Sequence, residues 1–311
     1  MRTRAWTAIV LVALSACLQS ADKRRPGVAL VLPGHVVDVV AGDFFLQAPE
    51  TIPAGLTTLR LRVLRGGHIA ILARLDSGHS AADLLRARRD GHSRPPWMHV
   101  VGGPGFPPPG ETANATMVLA PGQYLLMCDV AGEDGVPHFE KGMFRPFFVK
   151  AATATPGNAT SLPPADATVE MRDHDFVFSA PIRAGTRVLR VANEGSVMHE
   201  FRLVHVLPGR TGRESLAWRP GDTTSRPDED VMALVGIVPG AELTTTIPFA
   251  EGEYVVLCVP QLARGMIQIL RVLPPAPSAA AGRRADASRA SAERSTRARG
   301  DGSAPRPEQS G

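Results

Sequence analysis

Two apolar runs in this 311-residue chain end in a cysteine followed by further soft or imidazole donors. The first is CDVAGEDGVPHFEKGM, which carries Cys128, His138 and Met143; the second is the shorter CVPQLARGM, with Cys258 and Met266. A mononuclear copper electron-transfer site needs one thiolate, two imidazoles and a weak axial thioether in a trigonal arrangement. The first segment offers three of those four groups. The fourth would be His68, which opens HIAILARL about sixty residues upstream. Pro137 and Gly142 stand where the backbone must turn about a buried ion. Against this stands a plainer reading, in which each cysteine is a small buried hydrophobe.

The elements that would position these donors are written twice. VDVVAGDFFLQAPETIPAG from Val37 matches VEMRDHDFVFSAPIRAG from Val169, and HIAILARLDSG from His68 matches HEFRLVHVLPG from His199. PGETANATMVLAPGQYLLMC, ending at Cys128, matches PGAELTTTIPFAEGEYVVLC, ending at Cys258. Most matched positions lie 130 to 132 residues apart, the mark of an internal repeat. Short alternating segments rich in Val, Leu, Ile, Thr and Phe, punctuated by Gly and Pro, read as strands. The prediction is an all-β protein of two tandem Greek-key sandwiches over 35–150 and 168–273, joined by a Pro-rich linker at 151–167. One short helix is expected at SAADLLRARR, from Ser80. Tyr124 falls where a corner tyrosine of a Greek key would sit. Exported proteins usually pair their cysteines. Here each copy has one, at the matched place, so both read as free thiols.

On Y-x-x-x-C at 124–128, P-H-x-x-x-G-M at 137–143 and the upstream histidine, both copies resemble the cupredoxins, the type 1 blue copper proteins. The resemblance implies His68, Cys128 and His138 as equatorial ligands of one copper ion and Met143 as the axial one. The nine residues between Cys128 and His138 are similar to the longer ligand loop of copper nitrite reductases and other multidomain cupredoxins. The family's N-x-G-x-x-x-H approach to the first histidine is replaced in copy one by LRGGH, and is present in copy two as Asn193 to His199. Copy two has Gln261 where the second histidine belongs. His199, Cys258, Gln261 and Met266 are therefore expected to form a degenerate site, an amide being a poor donor to copper beside imidazole.

Catalysis of the nitrite reductase or multicopper oxidase kind needs a histidine next to the type 1 cysteine. The neighbours are Met127 and Asp129 in one copy and Leu257 and Val259 in the other. An enzyme is not expected, nor is a small-molecule substrate identified. Two readings stay open: electron transfer or copper holding through copy one, with a redox protein as partner, or a metal-free binding module. The other histidines, His35, His79, His92, His99, His174 and His205, read as surface or hydrogen-bonded groups. Trp97 reads as a packing residue.

The termini speak to location. MRTRAWTAIVLVALSAC has a positive start and an apolar run too short to span a bilayer, ending in Leu14-Ser15-Ala16-Cys17. That junction resembles the lipobox of bacterial lipoproteins. It implies a signal peptide at 1–16, a lipidated Cys17, a tether at 17–34, and an extracytoplasmic protein held to the membrane by lipid; ordinary secretion is the alternative. The tail from 274 to 311 has almost no large apolar residue and is expected to be disordered. Its seven arginines against four acids supply +3 of the chain's net +4, so charge gives the folded part no case for nucleic acid.

Overall fold

The computed structural model describes residues 30–152, 160–219 and 221–276. The expected signal peptide, Cys17, most of the tether, the middle of the linker and nearly all of the tail lie outside the described residues.

The first copy runs β1 (His35–Gly42), β2 (Phe45–Gln47), β3 (Thr51–Pro53), β4 (Gly55–Val63), β5 (Ile71–Leu75), helix α1 (Ala81–Arg89), β6 (Met98–Gly105), β7 (Thr112–Leu119), β8 (Gly122–Met127) and β9 (Phe144–Lys150). The second repeats it with one strand fewer: β10 (Ala167–Met171), β11 (Phe176–Phe178), β12 (Gly185–Asn193), β13 (His199–Val206), helix α2 (Gly212–Ala217), β14 (Asp228–Ile237), β15 (Glu242–Phe249), β16 (Gly252–Leu257) and β17 (Ile267–Val272). Alternation makes these strands two-faced. In β4, Leu59, Leu61 and Val63 are buried while Arg60 turns out to pair with Asp38 of β1 at 2.6 Å.

Topology repeats with the sequence. β1 runs parallel to β4, and β10 parallel to β12; β4 is antiparallel to β7 and β12 to β15. On the facing sheet β5 lies between β6 and β8, as β13 lies between β14 and β16. These are two cupredoxin-like Greek-key sandwiches. The Tyr124 hydroxyl donates to the Ala120 carbonyl at 2.9 Å, and the Tyr254 hydroxyl accepts from Ala250 N at 3.0 Å, so both copies have the corner tyrosine.

The two sandwiches share both sheets. β7 meets β15 at Thr116 and Thr244, giving an eight-stranded sheet, and β6 meets β14 over Gly103–Gly105, giving a nine-stranded one. The β6 approach to the second copy favours glycine: a Cβ on Gly102, at φ +100°, would lie 2.9 Å from Leu243 Cδ1 and 3.1 Å from the Val235 carbonyl. At the other seam the Asn114 amide stands in for missing ladder bonds, donating to Thr246 O and accepting from Thr246 N, both at 2.8 Å. One apolar cluster runs through both copies, from Leu59, Leu72 and Leu125 to Leu189, Leu203 and Val256.

Helix α1 forms where expected and is closed by a capping box: Ser80 Oγ accepts from Asp83 N and the Asp83 carboxylate accepts from Ser80 N. Helix α2 was not anticipated, although its own T-x-x-E box, Thr211 and Glu214, is visible in the sequence. HIAILARL becomes a strand only from Ile71, leaving His68 in the connection ahead of it. No helix among the described residues is long and apolar enough to cross a membrane.

Candidate metal centre

Three elements deliver the donors of copy one. β8 ends at Met127 and places Cys128, fully buried, on the next residue. The connection after β4 delivers His68, which is 4% exposed. A short 3-10 turn, His138–Lys141, opens on His138, which is half-buried. His68 Nδ1 stands 3.8 Å and His138 Nδ1 3.6 Å from Cys128 Sγ. The three donor atoms lie within 4.8 Å of one another. Nitrogen at about 2.05 Å and sulfur at about 2.3 Å from one ion, 120° apart, would be about 3.8 Å from each other. The two sulfur–nitrogen spacings match that geometry. LRGGH therefore brings its histidine to the sulfur without the N-x-G approach of copy two.

Met143 is fully buried on the same turn. Its carbonyl accepts from Cys128 N at 3.2 Å and its amide donates to His138 O at 3.0 Å, so the backbone ties the cysteine, the second histidine and the methionine into one unit. Gly142, at φ 95°, ends the turn in the left-handed region, where glycine is favoured. The residues that lengthen this loop satisfy themselves. Ala131 bridges Pro137, Gly132 N donates to Val136 O, and Asp134 accepts from Lys141 Nζ at 2.7 Å.

Electrostatics leave all three donors uncharged near neutrality. Burial pushes the Cys128 thiol up, opposed by the amides of Ile69 and Val130 directed at the sulfur. Burial, then the neighbouring His138, pulls His68 down; burial, then Lys141, does the same to His138. Neutral imidazoles are the ligating form, and a metal would displace only the thiol proton. His68 Nε2 is buried without a hydrogen bond of normal geometry, the Arg65 carbonyl being nearby. The Nδ1-to-sulfur approach and the His138 ring, 5.0 Å away, face this ring on its inner side.

Copy two brings its residues together the same way. His199 Nδ1 lies 3.6 Å from Cys258 Sγ, and both residues are buried. Cys258 N donates to Met266 O at 3.0 Å, Met266 N to Gln261 O at 3.3 Å, and Gly265 closes the turn at φ 86°. Gln261 holds the corner that His138 holds in copy one, and no second imidazole is supplied. Both cysteines are free thiols.

Several contributors escaped the sequence. Asp173 sits 26 residues before His199, yet its Oδ1 is 3.3 Å from His199 Nε2. Phe44, with a positive φ of 61°, sets its ring edge against His138 at 5.3 Å. Arg88 of α1 forks onto Asp129, next to Cys128, at 2.7 and 3.0 Å. None has a local spacing signal; the fold alone makes them neighbours. Of the remaining histidines, His99 bonds Asp76 at 3.0 Å, His205 lies 3.4 Å from Glu229, and His79 stacks on Trp97 at 4.2 Å. Among the described residues, clusters of three or more His, Cys, Asp and Glu able to hold an ion number one: His68, Cys128 and His138.

No protein-family model matches the chain, and no curated protein matches it. Among solved structures, a reduced auracyanin of the photosynthetic bacterium Roseiflexus castenholzii is 20% identical over 34% of this chain and 95% of its own, at a TM-score of 0.25. Auracyanin A, a blue copper protein of Chloroflexus aurantiacus, is 19% identical over 37% and 98%, at 0.26. The copper nitrite reductase of Nitrosomonas europaea is 15% identical over 77% and 83%, at 0.22. Likeness at this level decides nothing about function, and the weight falls on the side chains.

Proposed function

We propose that the chain is an extracytoplasmic copper protein whose first copy holds one copper ion through His68, Cys128 and His138, with Met143 as a weak axial donor. Its role is to pass single electrons or to hold copper. The observation that carries this reading is that two imidazole Nδ1 atoms face one buried sulfur at 3.8 and 3.6 Å. Copper bound there would supply a one-electron couple. The protein's own residues do the rest. Buried Cys128, His68 and Met143 exclude water, and the backbone bonds that tie them limit rearrangement of the donors. Half-buried His138, with the exposed Phe44 ring against it, is the edge through which a redox protein partner would be met.

The second copy, on this reading, is a degenerate site that lacks the second imidazole copper(II) needs. Neither cysteine has a histidine beside it to wire a catalytic copper, which favours a carrier over an enzyme. Cys17 would be the lipid-bearing residue holding the protein at the outer side of a membrane, supported by the Leu14-Ser15-Ala16-Cys17 junction.

Copper(II) added to the purified full chain should give a thiolate charge-transfer band. Cys128→Ser should abolish it and Cys258→Ser should leave it. Absence of the band in the correctly folded wild type would favour a metal-free binding module. Mass spectrometry of the N-terminal peptide should find a lipidated Cys17; cleavage elsewhere, with unmodified Cys17, would end the anchoring proposal.

A further inference from the structure

We propose that the second copy is a separate site for a soft monovalent cation, copper(I), held by Cys258 Sγ and His199 Nδ1 with the Met266 thioether beside them. Copper(II) lacks its second imidazole there.

The first support is the orientation of His199. Its Nε2 lies 3.3 Å from Asp173 Oδ1 while its Nδ1 lies 3.6 Å from Cys258 Sγ. Asp173 is itself fixed, accepting from Ser196 N at 2.8 Å and Ser196 Oγ at 2.7 Å. A carboxylate on the far nitrogen keeps the proton there and aims the near lone pair at the sulfur, the arrangement that commonly backs a metal-bound histidine. His68 in copy one has no such carboxylate on its far nitrogen. The copy that lacks an imidazole therefore has the better-supported one.

The second support is the donor set. Cys258 and Met266 are both buried at the two ends of one turn, and thiolate and thioether donors select copper(I). Copper(I) enters as the Cys258 proton leaves for solvent. The binding step is that exchange of one proton for one cation, with no change of oxidation state.

The test is independent of colour in copy one. Full-length Cys128→Ser protein, which lacks the thiolate of the first site, is titrated anaerobically with copper(I) against a chromophoric copper(I) chelator. It should withhold one equivalent more from the chelator than the Cys128→Ser, Cys258→Ser double variant, which shares every other donor. Equal uptake by the two would overturn the proposal. Cys258→Ser alone, which should still give the copper(II) band of copy one, reports that the substitution leaves the fold intact. Should it misfold, Cys258→Ala and Met266→Leu in the Cys128→Ser background replace it, with loss and weakening of copper(I) expected in turn. Asp173→Asn in that background should weaken copper(I) about 10–100-fold, while unchanged affinity would overturn the orienting role of Asp173. If wild type gives no copper(II) band yet Cys128→Ser still binds copper(I), the first-copy reading fails and this one stands.

Discussion

Arg88 joins helix α1 to the ligand turn, and Arg88→Met measures what that joint contributes. Its guanidinium forks onto Asp129 at 2.7 and 3.0 Å and sits 4.5 Å from the centre of the Phe139 ring. Asp129 follows Cys128 and Phe139 follows His138, so a single side chain fixes the neighbours of two donors. Arg88 is 10% exposed and Asp129 32%. Removing one member of a fully buried pair costs about 3–5 kcal/mol, and an exposed pair contributes about 0–1 kcal/mol. With Asp129 a third in water, the expected loss lies between, about 2–3 kcal/mol. Met retains most of the stem packing, so little else changes. For a folded part of this size that is a fall of about 4–6 °C in Tm. Urea denaturation of wild type, Arg88→Met, Asp129→Asn and the double variant gives the coupling directly, and should return at least about 1 kcal/mol. The copper(II) band of Arg88→Met should also bleach sooner under a competing chelator. A midpoint within about 0.5 kcal/mol of wild type, or a coupling near zero, would refute the claim that this pair holds the turn.

At the seam between copies, Asn114→Ala strips partners from the Thr246 N–H and C=O and should cost about 2–4 kcal/mol at about 1–2 kcal/mol per buried group; a loss under 0.5 kcal/mol in urea denaturation would mean that the seam is held elsewhere. Asp230 tests acid sensitivity. Burial alone would raise its carboxyl, but Arg226 and Arg202, at 2.8 Å each, outweigh burial and hold it below the ordinary value of 3.8. A depressed carboxyl stabilises the fold above its unfolded value and loses that contribution as pH falls through the folded one. Asp230→Asn should therefore destabilise by about 1–3 kcal/mol at pH 7, with the gap to wild type narrowing below about pH 4; a gap that does not change between pH 7 and 2 would contradict the assignment.

Much of the fold could be read from the sequence because the information was local or written twice. Strand period, the Ser80 capping box and the corner tyrosines each depend on residues a few positions apart. The match ending at Cys128 and Cys258 fixed which positions correspond. Helix α2 was legible in principle, since Thr211 and Glu214 spell a capping box, but six residues give almost no periodicity to notice. The sharing of both sheets was not legible. It depends on β6 coming close enough to the second copy that a side chain at Gly102 would meet Val235 of β14 and Leu243 of β15, a steric fact about strands far apart in the chain. The N-A-T at 114–116 resembles a glycosylation acceptor, but Asn114 is 4% exposed and spends its amide on the other copy. Asp173, Phe44 and Arg88 reach the donors across turns and sheets, and sequence spacing contains no trace of that.

The two ligand turns also separate what loop length decides from what it does not. Nine residues lie between Cys128 and His138, and two between Cys258 and Gln261. Both turns nonetheless close through the same pair of bonds, cysteine N to methionine O and methionine N to the carbonyl of the third-corner residue. The seven additional residues of copy one are absorbed by the hairpin that bridges Ala131 to Pro137 and by Asp134 with Lys141, without disturbing that closure. Length therefore leaves the donor frame unchanged, and the side chain at the third corner is where the two copies differ most. An imidazole there completes a trigonal nitrogen–nitrogen–sulfur set. An amide there leaves a thiolate and one carboxylate-backed histidine. A single duplicated frame thus offers two coordination chemistries, separated by one residue and by the partner of the first histidine's far nitrogen.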